Sequence, residues 1–422
     1  MTDRAGQRRV VVTGLSILDP LGGDTESVMT RALAGESSIR LHEGEDEALG
    51  MRTPAVFFDP VDFEARLGKA VCRVTDPFAR LALLAAREAW AAAGLPEREK
   101  TSDPRAGVHW GTALGGINTF ENGYRAFWKE GRRRLSPMSV VMGMNNAAAA
   151  QIGMQFGLGG QASTSSVACA SAAIAIGEGY RQIRDGEMDR MVVGGSDLPL
   201  ALGVLRAWEA MHMLAPCDDA GAPRACRPFH VDRAGLVLAE GAACLILESR
   251  EVAERRGAPI LAEISGYGAS NDASHVVRPD RDGQVRAITA ALDEAGLTPS
   301  SVGYINAHGT ATTEGDATEV AAIREVFGDE LAARLPISAT KAVHGHAMGA
   351  TGAIEAAITI LALDRERLPP TAGLDVLDPA CDGVDHIRGA PRKATGIKAA
   401  LSNSFAFGGS NAVLAFTRSG GH

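Results

Sequence analysis

Runs of β-branched residues alternate along the chain with longer stretches in which apolar residues recur at helical spacing. Residues 8–17, RRVVVTGLSI, predict a strand that ends at Gly14, and residues 260–270, ILAEISGYGAS, predict one that ends near Gly266. Each is followed by a helical pattern that closes on Ala-Gly-Leu, over 78–95 and 285–297. Strands that alternate with helices predict an α/β fold of parallel strands with helices on their faces.

The order of these landmarks repeats in the second part of the chain. After each helix come a strand that runs into Gly-Thr-Ala, a turn that opens a helix of small residues, and a Gly-Gly-Ser strand that closes the half. We infer two similar halves, 1–259 and 260–422, which share one core because no linker-like composition separates them. The stretch 198–259 is expected to lie between the two repeats. The irregular stretches 36–75 and 115–140 are expected to form a cap or an interface.

Composition narrows the class of protein. The chain has 422 residues, of which 45% are hydrophobic and 22% charged, and its net charge of −9 argues against general nucleic-acid binding. The start has no signal-peptide pattern and no apolar run is long enough to span a membrane, so a cytoplasmic protein is expected. The 6 cysteines are widely spaced without a CxxC pair, which favours free thiols over disulfides.

One thiol and two histidine motifs are the candidate chemistry. Cys169, in SSVACASAA, precedes an Ala-rich helix, where it is either a buried core thiol or a nucleophile whose pKa the helix dipole lowers. The repeat places Cys169 and the pair His344/His346 at matching turns, and His308 follows a predicted strand. Each of these histidines, or Lys341, could be structural when taken alone, and His-x-His is a weak metal motif. Together, at the carboxyl ends of strands, they favour a catalytic site.

Five sequence blocks also resemble a known family. SSVACASAA, NAHGTATTEGD, SATKAVHGHAMGATG and SNSFAFGGSNAVLAF are similar to the signature blocks of the elongating, Cys-His-His class of β-ketoacyl-acyl carrier protein synthases, and CRPFHVDRAGLVLAEGAACLILE adds a fifth. The resemblance covers essentially the whole chain. It implies the thiolase fold, with duplicated βαβαβαββ halves in a five-layered αβαβα arrangement.

The resemblance implies a decarboxylative Claisen condensation with five catalytic residues. Cys169 accepts the acyl chain from a carrier-protein thioester. His308 and His346 bind the thioester carbonyl of the malonyl extender and stabilise the enolate, and Lys341 supports this polar site. The backbone N–H groups of Cys169 and Phe407 form the oxyanion hole.

The resemblance further implies a set of substrate-binding residues and no metal or cofactor of the protein's own. The phosphopantetheine arm belongs to the acyl carrier protein, and Thr310 and Thr312 are expected to hydrogen-bond it. Leu114 is expected in the acyl tunnel, and Asn403 and Phe405 complete the predicted substrate-binding set.

Two kinds of partner follow from the resemblance. Acyl carrier proteins are acidic, so a chain with a net charge of −9 needs a local basic patch, and the two candidate patches are predicted to dock the carrier through Lys69, Arg73, Arg132 and Arg133. The apolar stretch 138–154 is expected to face a second subunit. That subunit is either a second copy or a Cys-less homologue of the chain-length-factor type.

Several positions depart from the pattern of housekeeping fatty-acid synthases. His344 stands where those enzymes usually have Thr or Ser, and Ala406 replaces the first glycine of their Phe-Gly-Phe-Gly-Gly gate motif. Val277 and Arg278 stand where small hydroxyl residues often line the pantetheine entrance. These features resemble nodulation-type and polyene-type synthases. The alternatives are a housekeeping elongation enzyme and a non-catalytic acyl-binding subunit, against which Cys169 argues. An acyl-CoA thiolase is disfavoured because FAFGGSN contains no second cysteine.

Overall fold

Strands from both halves join into one mixed sheet. The computed structural model describes residues 6–20, 24–43, 51–58, 61–97, 101–216 and 221–418. The strands of the first half are β1 (Val10–Leu18), β2 (Arg40–Glu43), β3 (Arg52–Val56), β4 (Ala106–Gly111), β5 (Ala162–Ser165), β6 (Arg190–Asp197), β7 (Leu238–Ala239) and β8 (Gly241–Ser249). Those of the second half are β9 (Ala262–Asn271), β10 (Val302–Asn306), β11 (Pro336–Ser338), β12 (Arg367–Leu368), β13 (Asp385–His386), β14 (Arg392–Lys393), β15 (Ala399–Phe405) and β16 (Ser410–Thr417).

Helices connect these strands and cover the faces of the sheet. In the first half they are α1 (Thr25–Ala34), α2 (Phe63–Leu67), α3 (Lys69–Cys72), α4 (Pro77–Ala92), α5 (Ile117–Trp128), α6 (Ser139–Gly143), α7 (Ala147–Phe156), α8 (Ser171–Arg184), α9 (Leu202–Ala210) and α10 (Arg250–Arg255). In the second half they are α11 (Arg281–Ala295), α12 (Thr313–Phe327), α13 (Asp329–Ala332), α14 (Lys341–His344) and α15 (Thr351–Arg365). Within the described residues, no helix has the length and apolar character that crossing a membrane requires.

The strand order shows the internal repeat directly. The order is β5-β4-β6-β8-β1 in the first half and β11-β10-β15-β16-β9 in the second, with β13 outside β11. When the five core strands of each half are numbered along the chain, both halves have the order 3-2-4-5-1. The two first strands, β1 and β9, pair antiparallel with Val11 opposite Glu263, so the halves form one continuous sheet.

The expected parallel arrangement holds for the strands of each half except the last, which runs antiparallel to its neighbours. β16 follows β15 through a short turn, and a direct hairpin connection necessarily makes neighbouring strands antiparallel. β8 also pairs antiparallel with β6 and β1, although the connection from β6 to β8 is longer and contains α9. The stretch 198–259 therefore does not lie between two repeats, because β8 is the fifth strand of the first one.

The sequence suggested that the first strand of each half ends at Gly14 or Gly266, but neither strand ends there. β1 and β9 continue through them, and each glycine lies where a helix crosses the sheet. A Cβ atom at Gly14 would lie 2.3 Å from the Ala89 carbonyl oxygen of α4, and one at Gly266 would lie 2.4 Å from the Ala291 oxygen of α11. Both glycines are required by close packing of helix on strand, at equivalent positions of the two halves.

Two buried helices form the central layer. α8 packs on β4 and β6 of its own half and on β9 and β16 of the other, whereas α15 packs on β15 and on β8. α4 and α7 cover the outer face of the first half, and α11 and α12 cover that of the second. Helices and strands therefore alternate in the five layers αβαβα, and the start of each central helix lies at the carboxyl end of a parallel strand pair.

The two predicted insertions lie outside these layers. In the described part of the stretch 36–75, β2 and β3 form a separate three-stranded sheet with β7. In the stretch 115–140, α5 has no fully buried residue, and its aromatic side chains face a groove or the solvent.

Candidate active site

Cys169 lies in a tight turn between β5 and α8. Ala168 adopts a left-handed conformation with φ of 47°, which is unfavourable for a residue with a Cβ atom. Ser171 stabilises this turn, because its hydroxyl donates to the Ala168 carbonyl at 2.6 Å and accepts from the Val167 N–H at 2.9 Å. The turn places the thiol in a cavity of about 370 Å3, where Cys169 itself is 6% exposed.

Two imidazoles from the second half meet this thiol. His346 Nε2 lies 3.0 Å from Cys169 Sγ, and the rings of His308 and His346 stand nearly perpendicular with their centroids 5.7 Å apart. The sulfur and one nitrogen of each ring all lie within 4.8 Å of one another. The structure thus brings together Cys169, His308 and His346, which the sequence analysis combined into one candidate catalytic site.

Lys341 fixes the tautomer of His308. Its buried Nζ lies 3.2 Å from His308 Nδ1 and also donates to the His308 carbonyl. An ammonium group only donates, so His308 Nδ1 accepts and Nε2 carries the proton. A protonated Nε2 is a hydrogen-bond donor rather than a metal ligand, which disfavours a metal among these three residues.

His346 is held by a more adaptable partner. Its Nδ1 lies 2.9 Å from the hydroxyl of Thr351 at the start of α15. Because a hydroxyl can donate or accept, Nε2 of His346 can either take the thiol proton or donate to an oxygen. Burial, followed by the charge of Lys341, holds the pKa of both His308 and His346 well below the usual range. Both imidazoles are therefore neutral at physiological pH.

Burial also dominates the ionisation of the thiol. It raises the pKa of Cys169 to about 11, while Lys341 and the backbone N–H groups of Phe407 and Cys169 act in the opposite direction. The helix start was expected to lower this pKa, but removal of the thiolate from water outweighs it. The thiol is protonated at rest. The two N–H groups predicted to form an oxyanion hole both donate toward the sulfur.

Two buried carboxylates support the site, and the sequence analysis missed both. Glu355 of α15 pairs with Lys341 Nζ at 2.7 Å, and Glu319 of α12 accepts the backbone N–H groups of His308 and Gly309 at 2.8 and 2.9 Å. Asn403, predicted as substrate-binding, donates its amide to the same Glu319 at 2.9 Å and so acts as a positioning residue. The single Glu355 in the apolar run GAIEAAITILAL was the available signal, since a lone charge there implies a buried partner.

Most of the predicted substrate-binding residues line the Cys169 cavity. Thr310 and Thr312 line it with their hydroxyl oxygens 3.0 Å apart, and the Phe405 ring lies 6.1 Å from that of His308. Phe407 stacks on Trp208 at 5.7 Å between ring centroids.

Leu114 lies in a different cavity. It lines a groove of about 770 Å3 between α5 and α9, together with Phe120 and Tyr124. Trp208, which the sequence analysis did not single out, lines both the groove and the Cys169 cavity. The two spaces therefore adjoin at Trp208, where its ring stacks on that of Phe407.

The predicted docking residues lie on the surface, away from the lining of either cavity. Lys69 begins α3, with its Nζ 4.0 Å from a Glu64 carboxylate oxygen, and Arg73 follows that helix. Arg132 pairs with Glu130 at 3.0 Å, and its neighbour Arg133 is exposed. His344, in contrast, is buried and bonds Thr340 at 3.0 Å, and it is not part of the cluster of Cys169, His308 and His346.

Comparison with known proteins identifies the family. Residues 7–253 match the model of the beta-ketoacyl synthase N-terminal domain, and residues 261–375 match that of the C-terminal domain. The chain belongs to the β-ketoacyl synthase family. The synthase is therefore an enzyme of the acyltransferase class, as the sequence predicted.

Full-length relatives resemble the synthase in sequence and in structure. It is 38% identical over 416 residues to 3-oxoacyl-[acyl-carrier-protein] synthase 2 of Staphylococcus aureus (strain COL), covering 97% of this chain and 98% of that protein. It is 41% identical over 415 residues to nodulation protein E of Rhizobium meliloti (strain 1021), covering 97% and 99%. The solved ishigamide ketosynthase/chain length factor matches with a TM-score of 0.90 and 32% identity, over 98% of this chain and 100% of that one. The predicted thiolase fold is confirmed by this likeness.

Proposed function

We propose that the synthase is an active condensing enzyme that extends a Cys169-bound acyl chain with two carbons from malonyl-acyl carrier protein. The observation that carries this proposal is the 3.0 Å contact between Cys169 Sγ and His346 Nε2, with His308 in the same buried site. A thiol suits thioester exchange, and two neutral N–H donors suit an enolate.

The first step transfers the acyl chain to the enzyme. Cys169 Sγ attacks the thioester carbonyl of the acyl-carrier protein while its proton passes to His346 Nε2. The backbone N–H groups of Cys169 and Phe407 stabilise the tetrahedral oxyanion. The bond to the pantetheine sulfur breaks, and that thiol leaves with the proton, which leaves an acyl-Cys169 thioester.

The second step forms the new carbon–carbon bond. Before the second step the proton of neutral His346 moves from Nδ1 to Nε2, a tautomer that the Thr351 hydroxyl also accommodates by donating to Nδ1. The malonyl thioester carbonyl then accepts hydrogen bonds from His308 Nε2 and His346 Nε2, and loss of CO2 leaves an enolate on that oxygen. The enolate carbon attacks the acyl-Cys169 carbonyl. The carbon–sulfur bond to Cys169 then breaks, 3-oxoacyl-carrier protein leaves, and the released thiolate takes a proton from solvent to return to the resting thiol. Lys341 keeps the proton of His308 on the nitrogen that faces the substrate.

Acyl carrier protein and a second subunit are the proposed partners. Thr310 and Thr312 line the Cys169 cavity and are the proposed contacts of the pantetheine arm. Lys69, Arg73, Arg132 and Arg133 are exposed and are the proposed contacts of an acidic carrier. The named function of the Staphylococcus aureus relative and the pairing of the ishigamide ketosynthase with a chain length factor support both proposals. We place the reaction in the cytoplasm.

The pathway proposed is specialised, either a type II polyketide or polyene pathway or one for unsaturated fatty acids. The likeness to nodulation protein E and to the ishigamide ketosynthase supports this choice. Housekeeping fatty-acid elongation is the second candidate, favoured by the 38% identity to a 3-oxoacyl-[acyl-carrier-protein] synthase 2.

Purified enzyme, incubated with octanoyl- and malonyl-carrier protein, tests the proposal. We expect an octanoyl adduct on the peptide that contains Cys169, followed by formation of 3-oxodecanoyl-carrier protein on addition of the extender. A panel of saturated and conjugated primers of equal length distinguishes the two pathways. Absence of both adduct and product with every primer would refute a catalytic role.

A further inference from the structure

The rim of the Cys169 cavity carries an arginine that the reaction described above does not use. Arg278 has an exposed side chain, yet it lines the same cavity as the buried Cys169. No carboxylate of the described residues lies within ion-pairing distance of it. An arginine at the mouth of a cavity without an internal counter-ion is available to an anionic ligand.

The backbone around Arg278 is held in place. His275 Nδ1 accepts the N–H groups of both Val277 and Arg278 at 3.1 Å, and Pro279 restricts the backbone of Arg278, the residue that precedes it. The Val276 carbonyl accepts the N–H of Gly408 at 2.7 Å, next to the Phe407 gate. Arg278 therefore projects from a turn that is fixed to the catalytic site rather than from a free loop.

The neighbouring acidic groups do not satisfy Arg278. Asp272 accepts from the Asn411 amide at 2.6 Å and from the Asp280 N–H at 3.1 Å, and Asp280 caps α11 through the Gly283 N–H at 3.0 Å. Glu314, at the start of α12, also lines the cavity but forms no ion pair with Arg278 among the described residues. Among the described residues that line this cavity, Arg278 is thus the arginine that remains open to a ligand.

We propose that Arg278 binds the phosphate of the phosphopantetheine arm and so selects phosphorylated thioesters. The inference rests on the proposed function, because a carrier-bound substrate must thread its arm from this rim to Cys169. The pantetheine part of that arm is uncharged, and its phosphate is the one charged group at the end that stays near the protein surface. A guanidinium–phosphate pair is stronger and more directional than contacts from the small hydroxyl residues that often occupy the positions of Val277 and Arg278.

Two small thioesters test Arg278 without any carrier-protein contact. The rate of Cys169 acylation is measured by intact mass with octanoyl-phosphopantetheine and with octanoyl-pantetheine, which lacks the phosphate. We expect the wild type to prefer the phosphorylated thioester about tenfold, as for one charge-assisted hydrogen bond. Arg278→Ala should lose this preference while its rate with octanoyl-pantetheine stays unchanged, and Arg278→Lys should retain part of it.

Arg255→Ala is the matched control, since Arg255 is an exposed arginine of α10 that lines neither cavity. It should keep the wild-type preference. An equal preference in wild type and Arg278→Ala, or none in the wild type, overturns the role of Arg278 and leaves the condensation proposal standing. Failure of both thioesters and of octanoyl-carrier protein to acylate wild-type Cys169 overturns the proposed function itself.

Discussion

At the residue scale, the protonation states of the site follow from burial. Burial raises the pKa of the Cys169 thiol to about 11, so the thiol is protonated at neutral pH. Burial lowers the pKa of His308 and of His346, so both imidazoles are neutral. Since only the thiolate is alkylated, the rate should rise about tenfold per pH unit below the pKa. Iodoacetamide labelling of Cys169, followed by peptide mass, should therefore increase steadily from pH 7 to pH 10. A plateau reached below pH 8 would show that the helix start and Lys341 outweigh burial, and Cys169→Ala supplies the background.

Lys341 and Glu355 form a buried ion pair. Substitutions at the two positions distinguish its contribution to stability from its contribution to condensation. Lys341→Met leaves Glu355 buried without a partner and should destabilise the fold by about 3–5 kcal/mol. Lys341→Met combined with Glu355→Leu removes both charges and should restore most of that stability. Condensation should stay low in the double variant because His308 Nδ1 has lost its donor. Urea unfolding and turnover, measured in parallel, check this; recovery of both would make Lys341 purely structural.

At the element scale, α5 and α9 form the walls of the groove that Leu114 lines. Leu114 lies in the groove between these helices, and its loop is fixed by Asp197, which accepts the Leu114 N–H at 3.1 Å. If the chain passes the Phe407 gate into this groove, Leu114→Phe should shorten the longest primer accepted, since overpacking costs about 1–3 kcal/mol. The check is a product-length profile with primers of increasing length. An unchanged profile would remove Leu114 from the acyl path without affecting Cys169.

The elements that sequence predicts well are those whose pattern is local. α4 and α11 follow from amphipathic spacing, and β4 and β10 follow from short apolar runs before Gly-Thr-Ala. The pairing of β8 could not be predicted, because strand direction depends on a connection whose path is set by tertiary packing.

Only part of the active site can be predicted from the sequence. Cys169, His308, His346 and Lys341 lie in turns with small flanking residues and stand out from the sequence. Glu319 is different, because its contact with the His308 turn appears only when α12 is packed against that turn. Leu114 and Thr310 were both assigned to one substrate path, but they line two adjoining cavities. This separation depends on tertiary packing, so it could not be predicted from the sequence.

At the scale of the whole molecule, the first half exposes an apolar surface. Val140, Val141 and Met144 near α6 and Met154 on α7 are each exposed by 49% or more, all within the stretch predicted to face a second subunit. Val140→Glu combined with Val141→Glu should weaken self-association or pairing with a Cys-less homologue, because burial of these charges at an interface is unfavourable. Native mass measurement, with and without the homologue, should show dimers for the wild type and monomers for the variant. A monomeric wild type under both conditions contradicts the predicted interface.

In the proposed reaction, the thiol carries acyl transfer and the two imidazoles carry decarboxylation. Release of labelled CO2 from malonyl-carrier protein, followed beside 3-oxoacyl product in Cys169→Ala and His308→Ala, tests this division most directly. Cys169→Ala should form no 3-oxoacyl product but still release CO2, because His308 and His346 remain in place. His308→Ala should lose CO2 release by about 100-fold or more, as expected for removal of one donor to a developing oxyanion. Product formation by Cys169→Ala, or undiminished CO2 release by His308→Ala, would show that the thiol and the imidazoles do not divide the reaction in this way.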